Sequence, residues 1–229
     1  MASTRLSFKR DYGFIEKVVQ SPFFWIIFVL VGFFYPIYRS LNRELPPPLP
    51  VLFQLPKYQL TNSFGQPFGS EDLKGRSYIA NFIFTNCPTT CPAQMEKTQE
   101  IQKRVRGLGT KIGIISFSVD PENDTPKVLH KYARNLSANP HVWTFLTAKD
   151  RNQIHDLLVD GFKVPMGELE EVEGVVDREK VTVWDIVHSE RFALVDSQGQ
   201  VRGYYSTTQS DIDKLMIDVG LLVNREQSF

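Results

Sequence analysis

A chain of 229 residues, 42% hydrophobic and 23% charged, can bury the core of one ordinary domain plus an appendage, and this composition excludes wholesale disorder. Lys plus Arg and Asp plus Glu balance at 26 each with no basic run, which argues against a nucleic-acid partner. Two cysteines form one bridge at most, so a scaffold stapled by several disulfides is excluded as well.

The first element in chain order is a membrane segment. Residues 18–38 carry no charge, and about 20 apolar residues at 1.5 Å rise cross the hydrocarbon layer of a bilayer. Trp25, Tyr35 and Tyr38 suit the two interfaces, and no small-x-small site follows that would mark a cleaved signal peptide. Arg5, Lys9, Arg10 and Lys17 precede the segment while Arg39 and Arg43 follow it. That excess predicts a cytoplasmic segment over 1–17, an anchor over 18–38 and the rest of the chain outside. The expected address is the inner membrane with the soluble domain in the periplasm; the alternative is the mitochondrial inner membrane, facing the intermembrane space. Residues 39–55 read as a linker stiffened by the prolines of 44–50, and residues 56–229 as the folded domain.

Within that domain, residues 58–61 and 66–68 flank a turn and predict a small hairpin. Residues 77–84 form a nearly continuous apolar run, the pattern of a strand buried on both faces. A helix over 93–105 follows, ended by Gly107 and Gly109, then a second buried strand over 112–119. Asp124, Thr125 and Pro126 start a helix reaching about 136. Residues 142–146 predict a third strand, 147–158 a helix capped by Thr147, and 160–187 an irregular stretch. A hairpin over 191–195 and 201–205 and an amphipathic helix over 210–223 close the chain. Strands alternating with helices, then a terminal hairpin and helix, give an α/β domain whose order fits a thioredoxin-like fold.

The chemistry concentrates in Cys87 and Cys91, which follow a buried strand and open a helix. The carboxyl edge of such a sheet is where ligands bind, and a helix N-terminus favours thiolate over thiol. The gap between the cysteines is three residues, where the thioredoxin-type redox motif has two. Positions four apart on a helix lie about 5–6 Å apart at Cβ. That distance closes to a disulfide or opens around one soft ion, and two thiolates with an imidazole suit copper. An inert disulfide is the plain alternative, although so short a loop removes little entropy from the unfolded chain.

The segment CPTTCP over 87–92, SVDPENDTP over 118–126, and VHS over 187–189 followed by a strand and DSQG resemble the Sco/SenC family, in that family's order. The resemblance spans roughly 56–223. It implies a thioredoxin fold with one copper ion held by Cys87, Cys91 and His188, and a metallochaperone role in building the binuclear copper centre of cytochrome c oxidase subunit II. A copper donor protein is the implied partner on the loading side. The two cysteines would also be the redox pair of the alternative function, a thiol–disulfide oxidoreductase in which copper is incidental. The chain departs from the family in having Thr89 and Thr90 between the cysteines and Val187 before the histidine, with Asp185 further back.

The other candidates read as structural. His130 and His155 fall in predicted helices and His141 at the start of a strand, all as surface or boundary residues. Asp120, Glu122 and Asp124 lack the glycine and distal glutamate of a calcium loop and read as turn and cap residues. The acidic residues of 168–173 read as a solvated loop, and Trp143 and Trp184 as packing.

Overall fold

The computed structural model describes residues 13–42, 46–86, 91–176, 179–188 and 191–226, in two units, Met1–Pro47 and Pro48–Phe229. In the first unit α1 (Phe14–Gln20) stops at Ser21, whose extended backbone is what the following proline demands. Helix α2 (Pro22–Val29) continues through a widened turn at Leu30–Phe34 into α3 (Tyr35–Leu41). Pro36 lacks the N–H that an ordinary turn would use and crowds the carbonyl of Gly32. The continuous helix Pro22–Leu41, 20 residues, is long and apolar enough to cross a membrane. That helix begins at Pro22, because the proline takes the first helical position.

The second unit is built on an eight-stranded mixed sheet. Its strands are β1 (Phe53–Gln54), β2 (Gln59–Asn62), β3 (Pro67–Gly69), β4 (Ser77–Ile83), β5 (Ile112–Ser118), β6 (Trp143–Thr147), β9 (Phe192–Val195) and β10 (Gln200–Tyr205). They lie in the order β1-β10-β9-β4-β5-β6-β2-β3. Strands β4, β5 and β6 are parallel, and β9 runs antiparallel to β4. Every residue of β4 and β5 is buried, as the unbroken apolar runs demand of strands covered on both sides.

Side chains alternate between two cores. Ile79, Ile83, Ile112 and Ile114 face α4 (Cys91–Val105), α5 (Pro126–Asn135) and α7 (Gln209–Glu226) through Met95, Ile101, Leu129 and Leu215. Ala80, Phe82, Ile115 and Phe117 face the other side, where α6 (Arg151–Asp156) and the turn after it contribute Ile154, Leu158 and Phe162. The phenyl ring of Phe162 meets those of Phe82 and Phe117 edge-on, with centroids 5.2 and 5.3 Å apart.

Four expectations need correction. Thr147 ends β6 and does not cap α6; Asp150 does, its carboxylate accepting from Gln153 N at 2.9 Å. The stretch 160–187 is not irregular: it contains β7 (Met166–Val176) and β8 (Glu179–His188), an antiparallel pair in a sheet of its own. Valines at 172, 175, 176, 181 and 183 supply the β propensity that the run of glutamates obscured. His141 lies in a turn ahead of β6, where Trp143 is the first strand residue. Ordered structure also begins before Pro56, since Leu52 N donates to Val201 O at 2.9 Å and Phe53 pairs with Val201.

Candidate metal centre

The chain leaves β4 at Ile83 and re-enters regular structure at Cys91, the first residue of α4. Cys87 lies outside the described residues, as do the side chains of Cys91 and His188. The backbone nevertheless fixes where two of the three predicted ligands enter. Cys91 opens a 15-residue helix at the carboxyl edge of β4, where helix N–H groups and partial positive charge point. His188 ends β8, paired in register with Met166, whose side chain is buried in the core beneath. From His188 the chain passes to Phe192, the first residue of β9. Because β9 is antiparallel to β4, with Ala193 opposite Ala80, the start of β9 and the end of β4 share one edge of the sheet. Four residues of extended chain reach about 14 Å at most. Cys91 and His188 are therefore delivered to the same end of the sheet by strands that run in opposite directions.

A buried carboxylate fixes the start of the cysteine loop. Asp124 has no exposed surface and accepts from Thr85 N at 3.1 Å, from Thr85 Oγ1 at 2.5 Å and from Ser118 Oγ at 2.6 Å. Burial raises its carboxyl above the ordinary value of 3.8, against the lowering effect of the Ser118 and Thr85 hydrogen bonds, and Asp120 adds to the rise. Thr85 stands two residues ahead of Cys87, so this cluster ties the exit of β4 to the exit of β5. Asp124 closes the expected turn, its N–H donating to Asp120 O at 2.9 Å; the cap role falls to Thr125, the N-cap of α5, and the Asp124 carboxylate in addition bridges the ends of two strands. The parallel order of β4 and β5, which brings both carboxyl ends together, is the signal that would have pointed to it. Replacing Thr85 by valine removes one hydroxyl bond and keeps the N–H bond, so unfolding free energy should fall by about 1 kcal/mol in denaturant titration.

A second polar chain runs under the first turns of α4. Trp143 Nε1 donates to Ser116 Oγ (2.8 Å), Ser116 Oγ to Asn81 Oδ1 (2.6 Å), Asn81 Nδ2 to Thr98 Oγ1 (3.0 Å), and Thr98 Oγ1 to Gln94 O (2.8 Å). All five residues are buried. This chain locks α4 onto three successive strands and so sets the height of Cys91 above the sheet.

The remaining histidines stay away from this edge chemistry. His130 packs edge-on against Phe64, His155 lies beside Asp156, and the carbonyl of His141 accepts from Arg76 Nη2 at 2.8 Å. Among the described residues no three His, Cys, Asp or Glu side chains gather around a metal position. Trp143 is a core residue as expected; the side chains of Trp184 and of the acidic stretch 168–173 lie outside the described residues. Two thiols and an imidazole are a soft, low-coordinate donor set, which fits copper better than a structural zinc with its four protein ligands.

The family model described as SCO1/SenC matches residues 53–222. A SCO1 protein homolog of Bacillus subtilis (strain 168) is 32% identical over 171 residues, covering 74% of this chain and 83% of the relative. A Stutzerimonas stutzeri chain, named as a candidate copper-binding protein, is 27% identical over 151 residues, covering 66% of this chain and 68% of the relative. The solved structure of BsSco, described as a member of the Sco family of cytochrome c oxidase assembly proteins and as containing a disulfide switch, superposes with a TM-score of 0.62. It is 30% identical, and the match covers 80% of this chain and 99% of that one.

Proposed function

The chain belongs to the SCO1/SenC family, and from that premise we propose that it binds one copper ion as cargo through Cys87, Cys91 and His188 and serves the assembly of the copper centre of cytochrome c oxidase. The observation that carries this reading is the convergence of two chain segments on one sheet edge: the entry to α4 at Cys91 and the run from His188 into β9. Copper supplies the soft acceptor for which thiolates compete well. The protein's own residues hold the donors. The Asp124 cluster fixes the approach to Cys87, the buried polar chain fixes α4, and pairing with Met166 fixes the backbone of His188. Helix Pro22–Leu41 anchors the chain in the inner membrane, with the domain on the periplasmic side or, in a mitochondrion, facing the intermembrane space. The client is subunit II of the oxidase or a similar copper protein, and a separate donor protein loads the site.

A second reading draws on the disulfide switch described for BsSco. Here Cys87 and Cys91 give two electrons and two protons to a client disulfide, forming one S–S bond and leaving two client thiols. Disulfide exchange needs no imidazole, so one experiment separates the readings. Copper titration of the reduced protein should show one ion per chain in the wild type and binding weaker by about tenfold or more in His188→Ala. Equal stoichiometry and affinity in the two proteins would remove His188 from the site and leave the dithiol switch as the function.

A further inference from the structure

An open cleft of about 520 Å³ is lined by residues 163–165, Arg191, Tyr204 and residues 206–207. Its place in the fold follows from strand register. Strand β10 is antiparallel to β9, and β9 to β4, so β10 ends at the sheet edge where β4 ends. Tyr204 lies opposite Ala193, which in turn lies opposite Ala80. On the other wall Pro165 precedes Met166, the register partner of His188. Successive Cα atoms are about 3.8 Å apart and cross-strand partners about 5 Å, so the backbone of Pro165 lies within about 10 Å of that of His188. The cleft therefore adjoins the edge that carries the candidate metal centre.

Its described lining carries two cations, Lys163 and Arg191, both exposed, and no carboxylate. Among the described residues no carboxylate pairs with Lys163. Asp211 lies within electrostatic reach of Arg191 but is already engaged, accepting from Ser206 N at 2.9 Å and from Ser206 Oγ at 2.6 Å. Buried Val164 and the half-buried ring of Tyr204, whose hydroxyl donates to Phe162 O, add apolar surface between the charges. Lys163 also holds a backbone that suits another residue better. Its φ is 55°, in the left-handed region, and it follows Phe162 at the exit of the turn Leu157–Gly161. Glycine is the usual residue at such an exit, so a lysine there lowers stability. Backbone strain of this kind points to a use for the side chain.

Resting on the reading of the chain as a copper donor to a protein client, we propose that this cleft docks an acidic segment of that client. Lys163 and Arg191 hold its carboxylates, while Val164, Pro165 and the ring of Tyr204 pack against its apolar side chains. Charge selects this occupant. A protein that accepts a copper cation presents anionic donors around the receiving site, and a cationic cleft beside the donor edge draws that face in and sets its register. An interface of ordinary size, about 800 Å² on each partner, covers the cleft and the sheet edge together.

The test uses the full chain in detergent micelles, with and without copper, and the copper-free soluble domain of cytochrome c oxidase subunit II as the client. Binding is titrated at several salt concentrations, and copper stoichiometry and thermal unfolding are followed in parallel. Lys163→Gly removes the cation and relieves the backbone, so docking should weaken about fivefold while thermal stability stays equal or rises. Lys163→Glu should weaken docking further, because it repels the segment that the lysine holds. The salt dependence of docking should flatten in both variants. Equal affinity and salt dependence in wild type and Lys163→Gly overturn the proposal and leave copper transfer to the client standing. Displacement of the client by inorganic phosphate beyond that by chloride at matched ionic strength would mark a small-anion site and overturn it as well. A wild type that takes no copper but docks through Lys163 defeats the copper reading alone. A wild type that takes copper and never engages subunit II defeats that client and this assignment together.

Discussion

Replacing Asp124 by alanine should lower the unfolding free energy by about 3 kcal/mol, as the loss of several bonds to a buried carboxylate implies. The carboxylate accepts from a backbone N–H and two hydroxyls, and all of these donors sit where β4 and β5 leave the sheet. Without it Thr85 N keeps no acceptor at that point, and the segment leading to Cys87 loses its tether to β5. The effect should depend on pH in a direction opposite to ordinary acid denaturation. Burial holds the folded-state carboxyl above 3.8, so the native protein binds this proton more tightly than the unfolded chain. A carboxyl raised in the folded state contributes stability that is complete below its unfolded value and is lost as pH rises through its folded value. The stability difference between wild type and Asp124→Ala should therefore widen as pH falls from neutrality through the raised value toward 3.8. Urea unfolding of both proteins at a series of pH values measures this. A difference that narrows on acidification would mean the carboxylate is favoured, not penalised, by its surroundings.

Asn81→Ala should cost a similar amount, about 3 kcal/mol, through a different mechanism. Asn81 is fully buried in β4 and is the member of the polar chain that joins sheet to helix, bonded to Ser116 in the neighbouring strand β5 and to Thr98 in α4. Its removal leaves the Ser116 hydroxyl without an acceptor and Thr98 Oγ1 without a donor, and opens a cavity between sheet and helix. Trp143 keeps its bond to Ser116, so the damage should centre on α4 rather than on β6. The network interpretation demands non-additivity: in a cycle with Thr98→Val, the second substitution should cost less once the first is made, by about 0.5 kcal/mol or more. Strict additivity would show two independent bonds. If the chain does set the height of α4, copper affinity should fall in Asn81→Ala more than in a core variant of equal stability on the opposite face, such as one at Ile154.

Much of this architecture was legible in the residue order because single-element signals were strong. The apolar runs of β4 and β5, the Thr125–Pro126 start of α5 and the turn at Asp196–Gly199 each carry their own local physics, and each appears where the pattern predicts. The cysteine motif, too, announces itself by spacing and by following a buried strand. The signals failed where charge and propensity disagreed. The glutamates around β7 suggested a loop, while the valines across β7 and β8 carried the pairing. They failed again at Thr147, where a good capping residue was outcompeted by Asp150, three residues nearer the helix.

By itself the sequence determined the family, the α/β alternation, the apolar N-terminal helix and the identity of the candidate donors, because these depend on residue type and local spacing. Only the tertiary structure decided that Asp124 bridges two strands, that Asn81 links two strands of the sheet to α4, and that Gln94 is buried with nothing to bond. Each of those roles depends on which residues from distant parts of the chain become neighbours, and that is fixed by strand order and register, which no local pattern encodes.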